Sequence, residues 1–250
     1  GPGEANTLKA RIDDIIYLGT QTRLDLMVGD TQIEAVVNPH EIEGHAIVAA
    51  LDRHVITMAF RALSQFKPHI HQLPSVSINL SPSSLRTPDL LAFIRDCLDS
   101  TGLPADLFMF ELTETAAILD LQQACRFFSE VRLMGCRVAL DDVGSGFNSL
   151  HTIRQIPCDR IKIDGSYVRN VCENALDRAL VESIQRIASV LEVETVAEYV
   201  EDEPIRKVLT DIGVDYLQGY GVHRPEPLAR VLSSLKMNSP GQTEGGLALA

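Results

Sequence analysis

Short apolar runs rich in β-branched residues recur along this chain, separated by longer segments whose apolar residues fall at helical spacing. The short runs predict strands over Ile15–Tyr17, Gln32–Val37, Val76–Leu80, Phe108–Leu112, Arg137–Asp141, Arg160–Ile163, Glu194–Ala197 and Tyr216–Gln218. The longer segments predict helices over Ile47–Gln65, Pro88–Ser100, Leu121–Met134, Leu150–Gln155, Ala175–Leu191, Pro204–Ile212 and Pro227–Leu235. Pro204 and Pro227 suit first helical turns, where a missing N–H costs little, and Gly135 and Gly213 follow helical runs as terminating glycines do. Strand–helix alternation predicts parallel strands joined by crossover helices. Eight such strands favour an α/β fold of the TIM-like (β/α)8 barrel type, with irregularity expected at its N-terminal strands, over an open sheet.

At 250 residues the chain suits one barrel domain. The expected organisation is a lead over 1–14, a barrel over 15–237 and a flexible tail or linker over 238–250, where Ser, Pro, Gly, Gln and Thr show no core pattern. Gly1-Pro2-Gly3 reads as the remnant of a cloning junction, which would make the chain an excised domain. A hydrophobic fraction of 45% supplies a core and excludes general disorder. The formal net charge of −12 argues against binding duplex nucleic acid, so an anionic ligand would have to be met by local cations or bound metal. No apolar run reaches bilayer-spanning length. Cys97, Cys125, Cys136, Cys158 and Cys172 are odd in number and widely spaced, which suggests reduced thiols in a cytoplasmic domain, each a small packed side chain.

Polar residues gather where the expected strands end. Asn79, Glu111, the adjacent pair Asp141 and Asp142, Lys162, Glu198 and Gln218 all fall there, and in a barrel those ends share the face that carries chemistry. Carboxylates and an amide oxygen are hard ligands that suit Mg²⁺ or Mn²⁺ rather than a soft-ligand zinc site. Two such ions can bind phosphate, activate water and stabilise a departing oxygen. Each residue alone has an ordinary explanation: an Asp-Asp turn, a surface glutamate, a helix cap at Asn79, a strand lysine between Ile161 and Ile163. Six strand ends carrying compatible groups make that account the weaker one. His69-Ile70-His71 has no partners for a metal site, Arg126-Phe127-Phe128 fits a helix with inward aromatics, and Ser145 has no His to activate it.

From about Leu51 to Pro225 these residues resemble the EAL family of bacterial cyclic di-GMP phosphodiesterases. Asn79-Leu80-Ser81 looks like the family's Asn-Leu-Ser, Glu111-Leu112-Thr113-Glu114 like its Glu-x-Thr-Glu, and Asp141-Asp142-Val143-Gly144-Ser145-Gly146 like Asp-Asp-Phe-Gly-Thr-Gly. Lys162-Ile163-Asp164, Ala197-Glu198 and Gln218-Gly219-Tyr220 continue the series in order. The resemblance implies metal ligation by Asn79, Glu111, Asp141, Asp142 and Glu198, with Asp141 bridging two ions. It implies that Lys162 assists the attacking water, Gln218 hydrogen-bonds within the site, and Glu114 anchors the loop Gly144–Ser149, which links the site to homodimer formation. The implied reaction opens cyclic di-GMP to linear pGpG, in a domain expected to work beside other signalling domains. Phe147 and Asn148 depart from the common Tyr and Ser.

The front of the chain departs further. One alignment sets Glu34-Ala35-Val36-Val37-Asn38 on the name-giving motif, keeping Glu34 as a metal ligand but placing Asn38 where an arginine is expected. It also implies a deletion of about a dozen residues before Leu51. The other matches Leu26–Asp30 to the stretch just after the motif and leaves Thr22 or a neighbour in the glutamate's place. Both lack the arginine, whose planar, charged fork grips phosphate as asparagine cannot. Three readings follow: an impaired phosphodiesterase, a non-catalytic cyclic di-GMP receptor, and an interaction domain that keeps the barrel as scaffold.

Overall fold

The computed structural model describes residues 11–18, 21–28, 31–37, 45–87, 89–144 and 154–237. The chain divides into two compact units, Gly1–Leu51 and Asp52–Ala250. In the first, β1 (Arg11–Leu18), β2 (Gln21–Val28) and β3 (Thr31–Val37) form an antiparallel sheet in sequential order. This corrects the sequence reading, which took Ile15–Tyr17 and Gln32–Val37 as strands of the barrel and passed over Gln21–Val28. A parallel pairing needs a crossover of a dozen residues or more. Only two residues separate each pair of strands here, so the chain must fold back on itself. The alternation of Leu24, Leu26 and Val28 with Arg23, Asp25 and Met27 was the available signal for β2.

The second unit holds six parallel strands in sequential order: β4 (Val76–Asn79), β5 (Phe108–Thr113), β6 (Arg137–Val143), β7 (Arg160–Ile163), β8 (Glu194–Ala197) and β9 (Tyr216–Leu217). They make a parallel half-barrel of the expected class. The helices are α1 (His45–Gln65), which begins in the first unit, α2 (Pro82–Leu85), α3 (Leu90–Thr101), α4 (Glu114–Leu119), α5 (Leu121–Leu133), α6 (Gly165–Val168), α7 (Ala175–Leu191), α8 (Glu203–Ile212) and α9 (Leu228–Met237). Short α2, α4 and α6 escape a periodicity reading because one turn or so carries no repeat. The expected helix Leu150–Gln155 falls mostly outside the described residues, as does 238–250.

Local chemistry sets the helix ends. The Asp202 side chain accepts from the Ile205 N–H at 2.9 Å, Pro204 sits in the first turn of α8, and Gly213 closes that helix at φ 91°. Asn174 caps α7 in the same way, accepting from Leu176 N–H at 2.9 Å.

Along each parallel strand one face enters a helix-covered core. Phe108, Phe110 and Leu112 of β5, Val138 and Leu140 of β6, Ile161 and Ile163 of β7 and Ala197 of β8 all belong to it. Phe60 of α1 stacks on Phe108 with ring centroids 3.9 Å apart. Side chains of a strand alternate faces, so Glu111, Asp141 and Lys162 are turned the other way. That alternation positions the site. On that second face, nearer the strand starts, Arg160 pairs with Glu194 at 2.7 Å and lies over the Tyr216 ring. All five cysteines are free, and no helix among the described residues is long and apolar enough to cross a membrane.

Candidate metal centre

Lys162 is the hub. Its Nζ lies 2.9 Å from Glu111 Oε2, 2.9 Å from Asp141 Oδ1 and 2.8 Å from Glu198 Oε1. Parallel pairing explains the convergence: Glu111 lies level with Ala139, two residues before Asp141, and Lys162 lies level with Val196, two residues before Glu198. Four residues from four strands, or from the position just past one, therefore meet on one face.

A regular strand would send Asp141 and Asp142 to opposite faces. The pairing of β6 with β7 instead shifts register between Leu140 and Val143, and Asp142 adopts φ 55°. This bulge turns the second carboxylate towards the first, so that Asp141, Asp142 and Glu198 each offer an oxygen, all within 4.8 Å of one another. Aspartate is among the few non-glycine residues that tolerate this backbone, at some cost in strain. The bend is held from both sides. Buried Glu114 accepts from the Gly144 N–H at 2.9 Å, and the Tyr167 hydroxyl donates to the Gly144 carbonyl at 2.6 Å. Gly144 has φ 108°, and a Cβ there would meet the Tyr167 ring at 2.9 Å. Tyr167 went unnoticed in the sequence because its role is defined only by this contact.

The electrostatics are lopsided, with Glu111, Asp141, Asp142 and Glu198 around a single ammonium. Burial alone would lower the pKa of Lys162, but Glu111, Asp141 and Glu198 outweigh it and hold the group protonated, well above the ordinary lysine value. Burial raises Asp141, with Lys162 opposing and Glu111 adding to the rise. Burial also lifts Glu198 to about 7, against the pull of Lys162, and lifts Asp142 to about 6 with help from Asp141 and Asp164. One lysine thus leaves much of the negative charge uncompensated. An all-oxygen donor set with surplus charge fits a hard divalent cation such as Mg²⁺ or Mn²⁺.

The other expected site residues lie around this group. Asn79 ends β4 opposite Glu111 in the β4–β5 pairing, with an exposed side chain that has no hydrogen bond among the described residues. Gln218 follows β9; its main chain bonds Ala197 and Val200, and its side chain lines a shallow cavity of about 220 Å³ with Tyr220, His223 and Arg224. Glu34 lies on β3 opposite Asp25 in the first unit, and its side chain, like Asn38, lies outside the described residues. Of the loop Gly144–Ser149 only Gly144 is described. His69 and His71 sit in a short 3-10 helix, and Phe127 and Phe128 are packed inward.

Comparison with known proteins gives consistent matches. Residues 10–225 match the family model described as the EAL domain. Cyclic di-GMP phosphodiesterase PdeB of Shewanella oneidensis is 40% identical over 187 residues, which cover 75% of this chain and 22% of that protein. The chain spans 22% to 28% of the length of three such curated relatives. Among solved structures, PaMucR phosphodiesterase in complex with c-di-GMP superposes with a TM-score of 0.73 at 24% identity, covering 84% of this chain and 85% of that one. Klebsiella pneumoniae BlrP1 in its manganese and cy-diGMP complex gives a TM-score of 0.63 at 30% identity, covering 69% and 43%.

Proposed function

Because this chain belongs to the EAL domain family, we propose that it binds cyclic di-GMP at the Lys162 rim and hydrolyses one of its phosphodiester bonds. The observation that carries this reading is the convergence of Asp141, Asp142 and Glu198 beside a lysine held positive. Asp141, Asp142 and Glu198 would hold Mg²⁺ or Mn²⁺ in a two-ion site, with Glu111 and Asn79 completing it. Glu34 is left out of this set, since its side chain is not described. Closure of the six strands into a full barrel belongs to the same reading, because it would bring all the strand ends round one mouth. Bound ions would supply a hydroxide-like water and offset charge on the phosphate.

The chain's own residues do the rest. Lys162 cannot serve as a base while its neighbours hold it protonated, so it acts as a donor and fixed positive charge towards the attacking water and the phosphate. Water adds to phosphorus, the bond to one ribose 3′ oxygen breaks, and that oxygen takes up a proton to give linear pGpG. Glu114 and Tyr167 keep the Asp142 bend in shape. Gln218 would orient the nucleotide by hydrogen bonding. The missing arginine of the N-terminal motif would weaken ligand binding even with metal present.

Incubation of purified protein with cyclic di-GMP and Mn²⁺ or Mg²⁺, followed by chromatography, tests this directly. The expected product is pGpG, formed by the unaltered chain and lost in Lys162→Met. Tight binding without any pGpG at high protein concentration would replace the enzyme reading with that of a receptor. The absent arginine is the sequence observation that favours that second outcome. No binding at all would end both.

A further inference from the structure

Next to Glu198 the backbone takes a second unfavourable conformation. Tyr199 has φ 55°, a left-handed geometry that bulky aromatic residues rarely adopt and that persists only where the surroundings enforce it. Glu192 shares this geometry, but at the C-terminal cap of α7, where it is ordinary. Burial does not explain Tyr199, whose side chain stays 41% exposed. Space has nevertheless been made for its ring, since a Cβ on Gly165 would come within 2.0 Å of it. The guanidinium of Arg169 lies over the ring, 4.0 Å from its centroid. Arg169 is exposed, and among the described residues it has no carboxylate partner, in a chain whose formal net charge is −12. The strained tyrosine thus carries an unneutralised guanidinium over its ring, on the segment that runs from Lys162 through Asp164 and α6, beside the end of β8.

We propose that Arg169, held over the ring of Tyr199, is a guanine-binding subsite of the nucleotide ligand, an assignment that rests on the cyclic di-GMP reading above. A guanidinium fork matches the O6 and N7 acceptors on the edge of guanine. Adenine presents an amino group at the O6 position, so the same fork discriminates against it. Arg169 is the binding group and Tyr199 a positioning residue. Gly165 is the accommodation that lets the ring lie where it does.

Calorimetry with cyclic di-GMP and cyclic di-AMP, in Ca²⁺ to slow turnover, tests the assignment on the full chain. Arg169→Met and Tyr199→Gly are each expected to weaken cyclic di-GMP binding roughly 5- to 150-fold, while cyclic di-AMP binding changes little. Tyr199→Phe, which keeps the ring, should bind as the unaltered chain does. Thermal melts of Arg169→Met and Tyr199→Phe should match the unaltered protein, since both side chains are exposed. Unchanged cyclic di-GMP affinity in Arg169→Met overturns the subsite and leaves the parent reading standing. Equal weakening of both dinucleotides also overturns it, marking a phosphate contact instead. If the unaltered chain binds no cyclic di-GMP, both readings fall together.

Discussion

Replacing Lys162 by methionine keeps the unbranched, flexible stem of the side chain and removes the terminal ammonium with its charge and its donors. In the folded protein this withdraws one ammonium from contacts of 2.9, 2.9 and 2.8 Å with Glu111, Asp141 and Glu198, at a side chain only 5% exposed. Breaking a buried ion pair by removing one partner typically costs about 3–5 kcal/mol, because the remaining charge is left unpaired in low dielectric. Here three carboxylates lose the same partner, but Asp141 and Glu198 can relieve part of the penalty by binding protons. Burial already raises Glu198 to about 7, raises Asp141, and raises the adjacent Asp142 to about 6, and these three rise further without the lysine. The loss is therefore expected in full at about pH 8 and much reduced at about pH 5.5, where protons discharge the cluster. Urea denaturation of the chelator-treated full chain at both pH values measures it. Adding Mn²⁺ at the higher pH should recover more stability in the variant than in the unaltered protein, because the ion takes over the lysine's task. A deficit below about 1 kcal/mol at the higher pH, or one of equal size at both, would refute the view of Lys162 as an electrostatic hub.

Two further outcomes follow from the same geometry. Glu198 is raised from 4.5 to about 7 by burial, so the folded chain holds its proton more tightly than the unfolded one; that stability is present below about pH 4.5 and lost as pH rises through about 7. The melting temperature of metal-free protein should fall between about pH 5.5 and pH 8, by the equivalent of at most about 3 kcal/mol from this group. Glu198→Gln should flatten the profile, and a slope left intact would point to overall charge repulsion instead. Glu114→Ala removes the acceptor for the Gly144 N–H and should cost about 1–3 kcal/mol. It should also speed hydrogen exchange at that amide and weaken Mn²⁺ binding through the neighbouring Asp142. An unaltered exchange rate at Gly144 would mean that the bend stands without Glu114.

The amino-acid sequence alone determined the local events of this protein. Arg160–Ile163, Glu194–Ala197 and Ala175–Leu191 form the elements their patterns predict, because strand alternation and helical periodicity are properties of neighbouring residues. The identity of the chemical groups was legible for the same reason: hard ligands recur at successive strand ends, in motifs whose spacing survives without any coordinates. What no local pattern encodes is pairing. The antiparallel sheet of β1, β2 and β3 follows from short connections whose partner strand had to be recognised first. The sequence singled out Lys162 only as a strand-end candidate; that three carboxylates meet its Nζ was decided by the register of β5, β6, β7 and β8. The left-handed turn at Asp142 and the ring of Tyr199 beneath Arg169 are likewise tertiary decisions, since a strained backbone is kept only where distant contacts outweigh its cost.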